Sequence, residues 1–370
     1  MAYSNKQLSS SSQMGSKLSS HESISIDDVE SMNLDQVLRL GRFIDDSMHP
    51  FDEKLRVQIA KRRMKLLAER ADTGKQFDEV LSPLWTFCPT RNRWRLSDCA
   101  PTQAPASLSV LTFNIWFDAF ALEARLTAFV DLLKKKMPDV VCIQEATPKR
   151  MKLLLEDTWV RATFDSTDLE GETFDAWYGV ALLVKRGSAC AQVRFRSFGR
   201  NSDQGRKAVI VDFADLSVSC VHLESLDSSD ERATQLQIIK SMLGARPALI
   251  CGDFNFDSLQ NFKPDSRPLE NDRAKEILAG FVDAWEQLHP DERGATFDAV
   301  GNSMMACTGE TWFGRIGRVF ARATATVKSI EIVGNTPFGR EGARDLYISD
   351  HFGLFADVLI DTLSPLPFKI

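Results

Sequence analysis

An α/β domain in which strands outnumber helices is the fold class that the sequence predicts. Short apolar runs bounded by Gly, Pro, Asn or Asp recur from Leu108 to Ile360 and read as buried strands. Between several of them, apolar residues spaced three and four apart mark amphipathic helices. The two kinds of element do not alternate as strictly as in a plain doubly wound sheet.

Taken in order, residues 1–27 are rich in Ser, hold few large apolar groups and are expected to form a disordered tail. A helical N-terminal extension with a linker is expected over residues 28–107. Within it Leu34, Val37, Leu38 and Ile44 fall on one helical face. Residues 53–75 mix Lys, Arg and Glu with Leu55, Ile59, Leu66 and Leu67. This helix either shows a solvated basic face while packing on the main domain or touches an acidic partner. The stretch from Pro101 to Pro105 reads as a linker.

The organised domain is expected over residues 108–361, with a C-terminal tail at 362–370. Leu108–Trp116 is a strand. Leu126, Phe129, Val130, Leu133 and Met137 then mark a helix, with Lys134 to Lys136 at its negative C-terminal end and Pro138 as its stop. Asp139–Gln144 is a strand and Met151–Leu155 a helix. Val180–Val184, Ala208–Phe213 and Leu216–Val221 are strands. Leu236, Ile239 and Leu243 mark a helix, Ala248–Cys251 is a buried strand, and Asn271–Leu278 is helical. Ala323–Ile332 and Phe352–Ile360 close the domain as strands.

With 370 residues the chain is long enough to bury a sizeable core. Its net charge of −6 excludes a global basic field, so a phosphate-bearing partner needs a local patch or a metal. The seven cysteines show no CxxC pairing, and Cys142, Cys220 and Cys251 sit inside apolar runs. A reducing, intracellular setting is expected rather than a disulfide framework. The N-terminus lacks the apolar core of a secretory signal, and no stretch approaches the roughly 18 apolar residues of a spanning helix. The expectation is a soluble intracellular protein without a membrane span, in nucleus or cytoplasm.

Five strand ends deliver carboxylate, amide and imidazole groups: Asn114, Gln144-Glu145, His222, Gly252-Asp253-Phe254-Asn255 and Ser349-Asp350-His351. That inventory suits divalent metal binding and phosphate ester hydrolysis. The reaction needs charge neutralised on nonbridging oxygens, a water deprotonated and a leaving oxygen stabilised. Mg²⁺ takes hard oxygen ligands and few protein carboxylates, a role open to Glu145; the other reading of Glu145 is a carboxylate capping the next helix. Asp253 and Asn255 share a face if extended, where they can orient a water and a phosphate oxygen, or they form an Asx turn. His222 and His351 either donate to a phosphoryl oxygen or are satisfied structural residues. The chain has only five His, and two fall in this set.

Thr112-Phe113-Asn114-Ile115, Ile143-Gln144-Glu145, Gly252-Asp253-Phe254-Asn255 and Ser349-Asp350-His351, in this order and spacing, resemble the endonuclease/exonuclease/phosphatase superfamily over residues 108–361. Within it, His222-Leu223-Glu224-Ser225 and Thr296-Phe297-Asp298 look like the tyrosyl-DNA phosphodiesterase 2 branch. The resemblance implies a DNase I-like two-sheet sandwich flanked by helices, and a DNA-repair hydrolase that removes tyrosine adducts from DNA 5′ ends with Mg²⁺ or Mn²⁺. It implies Glu145 and Asn114 at the metal and Asp253 as proton acceptor or water-positioning group. Asn255, His222 and His351 would be catalytic groups at the phosphate, and Asn114, Ser225, Phe297 and Asp350 would contact substrate.

The chain also departs from that pattern. Trp116 stands where close relatives carry Asp, with Asp118 nearby. Gly317 stands where the superfamily has the Asp that orients the catalytic His. Phe256-Asp257 replace an Arg that follows Asn255 in some relatives. Arg315, Arg318, Arg322 and Lys328 form either a replacement basic patch or a solvated strand face. The alternatives are therefore a nuclease or a small-molecule or lipid phosphatase of the same superfamily, and a non-catalytic module that keeps the fold.

Overall fold

The computed structural model describes residues 79–360 except 188–190, 308–310 and 323–324, together with Val29, Ser31, Met32 and Arg62. The expected Ser-rich tail, the 34–44 helix, the 53–75 helix apart from Arg62, and the C-terminal tail lie outside the described residues.

Two mixed sheets face each other. The seven-stranded sheet runs, in spatial order, Val80–Pro83 (β1), Gln192–Ser197 (β8), Lys207–Asp212 (β9), Ser217–His222 (β10), Ala248–Asp253 (β11), Gly317–Arg322 (β15) and Phe281–Asp283 (β12). The eight-stranded sheet runs Ala325–Val333 (β16), Gly353–Ile360 (β19), Ser107–Asn114 (β4), Val140–Ala146 (β5), Gly179–Lys185 (β7), Phe164–Ser166 (β6), Trp85–Cys88 (β2) and Arg93–Leu96 (β3). Phe297–Asp298 (β13) pairs with Phe313–Gly314 (β14), and Gly339–Glu341 (β17) with Arg344–Leu346 (β18). From residue 79 to 360 the α-helices described are Leu122–Lys136 (α1), Pro148–Glu156 (α2), Thr158–Thr163 (α3), Ser229–Leu243 (α4), Glu270–Ile277 (α5) and Ala284–Leu288 (α6).

Period-two burial explains the layers. In β4, Leu108 and Val110 enter the core between the sheets, whereas Leu111 and Phe113 join Phe129, Leu133 and Met151 under α1 and α2. In β11, Leu249 and Cys251 face the same inner core, whereas Ala248 and Ile250 pack with Leu236 and Ile239 of α4. Strands covered on both faces read as near-continuous apolar runs, interrupted in β4 only by small polar residues, which is why the sequence exposes them. The order is helix, sheet, sheet, helix, and the expected two-sheet sandwich is present.

Among the described residues, two neighbouring strand pairs are parallel: β4 with β5, and β10 with β11. A parallel pair needs a crossover, and α1 and α4 supply it. Helix α1 buries Leu126, Phe129 and Leu133 and ends at Met137, whose left-handed backbone (φ 49°) lets its N–H reach Leu133 O at 2.7 Å. Each parallel pair lies inside its sheet, and the two pairs pack across the inner core. Their C-terminal ends therefore open at one place.

Residues 80–96, which the sequence assigns to the helical extension, form β1 at the edge of one sheet and β2 and β3 at the edge of the other. They are four-residue strands without apolar alternation, and Arg93 and Arg95 face solvent, as suits a protected edge. Cys88, Cys142, Cys220 and Cys251 are free thiols. Cys99 departs from the expected reduced set, being disulfide-bonded. Among the described residues, no helix is long and apolar enough to cross a membrane.

Candidate active site

Parity delivers most of the site. Asn114 continues the inward series Leu108, Val110, Thr112; His222 continues Val218, Cys220; Asp253 continues Leu249, Cys251. Gln144 of β5 also faces inward, donating to Thr112 Oγ1 at 3.1 Å and approaching Cys220 Sγ at 3.2 Å across the sheets. By the same parity Glu145 would point outward, under the helices. A register shift between Gln144 and Ala146 and a left-handed backbone at Glu145 (φ 57°) turn it inward instead. Bulges beside functional sites commonly re-aim a side chain in this way.

Three strand ends thus meet in one hydrogen-bonded cluster, and the end of β10 lies against it. Asn114 Nδ2 donates to Glu145 Oε1 and to Asp253 Oδ2, both at 3.0 Å, while Asn114 Oδ1 accepts from Trp116 N at 3.0 Å. These partners fix which way the amide faces. Phe117 N donates to Glu145 Oε2 at 2.9 Å, and Asn255 N to Asp253 Oδ1 at 2.9 Å. Asp253 Oδ2 is the focal atom, with His222 Nε2 and His351 Nδ1 each 3.7 Å from it. His351 Nε2 lies 4.0 Å from Asp350 Oδ1.

Burial governs the charges. It pushes Glu145 up to about 7, helped by the Asp350 carboxylate and opposed by His351, Asn114 and the Phe117 amide. Asp350 is raised by burial as well, with Asp253 adding to it. Burial disfavours the His351 cation, but Asp350, Asp253 and Glu145 outweigh it and raise His351 above an ordinary histidine.

His222 is the opposite case. Burial, then Arg206 and His351, hold it well below an ordinary histidine, so it is neutral. Arg206 Nη1 lies 2.8 Å from His222 Nδ1. A guanidinium only donates, so Nδ1 accepts and the proton sits on Nε2, facing Asp253. Removing the cation with Arg206→Met is expected to raise the His222 pKa, and an NMR titration of its ring resonance checks this.

The remaining predicted residues hold varied places. Asn255 (φ 57°) donates its side-chain amide to Leu223 O at 2.8 Å, which ties the end of β11 to the segment after β10. Phe297 bridges the backbone of His351 and sets its ring edge-on to the imidazole, 5.2 Å between centroids, while stacking on Trp312 at 4.3 Å. Ser225 is bound to Gln204, its N and Oγ donating to Gln204 Oε1 at 3.1 and 2.8 Å. Asp118 Oδ1 caps its own loop by accepting from Phe120 N at 2.7 Å, and Trp116 packs with Met304, Leu346 and Tyr347.

Gly317 pairs with Asp253 across β11 and β15 and donates its N–H to Thr296 Oγ1 at 2.7 Å. The Thr296 side chain occupies the space that a side chain at 317 would enter, since a Cβ there would meet its Oγ1 at 3.1 Å. Arg315 and Arg318 are neither a surface patch nor a solvated face. Both are buried, Arg315 gripping Asp283 at 2.7 and 2.8 Å and Arg318 reaching Asp283 at 3.1 Å and Asn271 at 2.8 Å.

Sequence reasoning did not single out Arg206, Tyr178 or Arg125. Tyr178 sits 5.9 Å from the His222 ring and under the Arg206 guanidinium, and burial, with Glu145 and Glu224, pushes its hydroxyl up to about 12 against the pull of Arg206. Arg125 carried a readable signal: it falls within the apolar stripe Leu122, Leu126, Phe129 of α1. A charge there must find partners inside.

Residues 111–351 match the Endonuclease/Exonuclease/phosphatase family. The chain belongs to that family. Its members are typically hydrolases and generally use divalent metals. Among solved structures, the chain resembles a humanised D. rerio TDP2 carrying 14 mutations, at 22% identity, covering 69% of this chain and 99% of that one, with a TM-score of 0.52. It resembles a truncated Caenorhabditis elegans TDP2 at 19% identity, covering 68% and 97%, with a TM-score of 0.51. A further C. elegans TDP2 structure matches at 17% identity, covering 89% and 94%, with a TM-score of 0.52. At these identities the likeness is one of fold. No curated protein matches the chain.

The carboxylate and amide oxygens of this cluster are hard donors, the kind that a divalent ion such as Mg²⁺ takes. Among the described residues, no group of three or more His, Cys, Asp or Glu side chains is placed to hold a metal ion by itself. A hard ion such as Mg²⁺ does not require one, since waters and substrate oxygens complete its shell. Glu145 and Asp253 are buried carboxylates that share the Asn114 amide, and burial, with Asp350 adding to it, raises the Glu145 carboxyl, so a cation beside it would favour its charged form.

Proposed function

We propose that this chain is a metal-dependent phosphodiesterase acting on DNA 5′ ends or protein–DNA adducts, in the manner of tyrosyl-DNA phosphodiesterase 2, with Mg²⁺ or Mn²⁺. The observation that supports it most is the crowding of one atom. Asp253 Oδ2 meets the Asn114 amide at 3.0 Å and two imidazoles at 3.7 Å. Such a carboxylate is poised to orient and deprotonate a water. His222, with its proton on Nε2, donates toward a phosphoryl oxygen. His351, drawn toward its protonated form, offsets the negative charge that builds on that oxygen. Glu145, with Asn114 beside it, would hold the cation, which when bound acts as a Lewis acid on the phosphate. Phe297 and Asp350 would line the substrate side, and Asn255 keeps Asp253 in place through its backbone N–H.

The test is turnover of a 5′-tyrosyl oligonucleotide. Wild-type protein is expected to release tyrosine and leave a 5′-phosphate in the presence of Mg²⁺ or Mn²⁺, and no turnover with either metal would sink this reading. One observation favours a second reading, a phosphatase for small molecules or lipid head groups, or a less specific nuclease. Arg315 and Arg318 are locked into buried ion pairs and give a DNA strand nothing to lie on. Hydrolysis of nitrophenyl phosphates without activity on modified DNA ends would select it.

A further inference from the structure

Arg125 is almost wholly buried on α1, yet every one of its N–H groups has a backbone carbonyl to meet. Nη2 donates to Ile115 O at 2.5 Å and Trp116 O at 2.8 Å. Nη1 donates to Asp118 O at 2.7 Å and Phe120 O at 3.1 Å. Nε donates to Ile348 O at 2.8 Å. The guanidinium also lies 4.6 Å from the centroid of the Trp116 ring. Its acceptors belong to two segments with different duties. The 115–120 loop carries Phe117 N, which holds Glu145 Oε2, and Trp116 N, which holds Asn114 Oδ1. Ile348 leads directly into Ser349-Asp350-His351.

We infer that Arg125 is a positioning residue that sets the separation between the Glu145–Asn114 side of the site and the Asp350–His351 side. This role rests on the phosphodiesterase reading for its kinetic consequence, but not for its structural one. The planar five-donor fork is what the role requires. A lysine keeps the charge but has three donors from one point and cannot span both segments. Without the fork, the β4–β19 pairing still joins the strands, but the 115–120 loop and the segment at Ile348 lose the side chain that ties them to each other. Displacements of that kind fall on the chemical step more than on binding.

The test compares Arg125→Lys with Phe129→Leu, a core substitution on the same helix. Arg125→Lys is expected to lower kcat by about 10²-fold with KM within about threefold. It should also shift the ring resonance of His351 in NMR spectra while leaving His289 unmoved. Phe129→Leu should lower the melting temperature without either effect. A kcat loss no larger than that of Phe129→Leu, with His351 unshifted, overturns the role. If wild type turns over no phosphodiester, the reading of function fails while the histidine spectra still judge Arg125. If Arg125→Lys does not fold, native-state amide exchange of the wild type decides. Phe117 and His351 amides should open as one unit, and protection differing by more than about tenfold overturns the inference.

Discussion

Asp253→Asn is expected to lower phosphodiester turnover by about 10²- to 10⁴-fold, the range that a positioned base contributes. The substitution keeps shape, removes the charge and the basic oxygen, and puts an NH₂ donor in place of one acceptor. At present Oδ1 takes the Asn255 N–H and Oδ2 takes the Asn114 amide, with the protonated His222 Nε2 facing Oδ2 at 3.7 Å. An Asn at 253 has one oxygen for these donors. Whichever way its amide turns, an NH₂ faces a donor, at about 1–3 kcal/mol for the unpaired group. The fold should survive, since the strands on either side of Asp253 are buried and fully paired. Steady-state kinetics on the 5′-tyrosyl oligonucleotide, with circular dichroism to confirm folding, measure this. A folded Asp253→Asn protein that retains wild-type kcat/KM removes Asp253 from the chemistry.

The fold was legible where strands are covered on both faces. β4, β5, β10 and β11 appear in the sequence as apolar runs because each packs against the other sheet on one side and a helix on the other. β1, β2 and β3 were not legible. They are short edge strands with little buried surface to leave a pattern. In the site, Asn114, His222 and Asp253 were readable because period-two counting places them at the ends of inward series. Glu145 was readable only as a residue type. Nothing in Ile143-Gln144-Glu145 announces the register shift that turns it inward. The same holds for Trp116 and Asn255, whose backbones also take the left-handed region, at φ 54° and 57°. Such conformations cost on the order of 1–3 kcal/mol each and persist where surroundings hold them. Here the Asn114 amide, the Asp253 carboxylate and the Arg125 fork do so. Arg315 and Arg318 were misread as surface charge because a basic residue at or beside a strand looks the same in sequence whether it faces water or Asp283.

Gly252→Ala is expected to cost about 2–6 kcal/mol of stability and to disable the site at the same time. Gly252 sits in the parallel ladder opposite Val221, one residue before Asp253, with φ at 148°. A Cβ there would lie 2.0 Å from Val221 O and 2.8 Å from Val221 C, and these are backbone atoms that cannot swing aside. Relief requires β10 and β11 to part, and those strands end in His222 and Asp253. Gly187 separates the contributions. Its φ of 79° is also in the region that favours glycine, but nothing lies within 4 Å of its would-be Cβ. Gly187→Ala therefore carries the backbone strain alone, about 1–3 kcal/mol, and should leave turnover unchanged. Urea unfolding of both variants, read at the midpoint with unchanged slope, gives the difference. If the two substitutions cost the same, the close approach of β10 to β11 at Gly252 is not what holds His222 and Asp253 together.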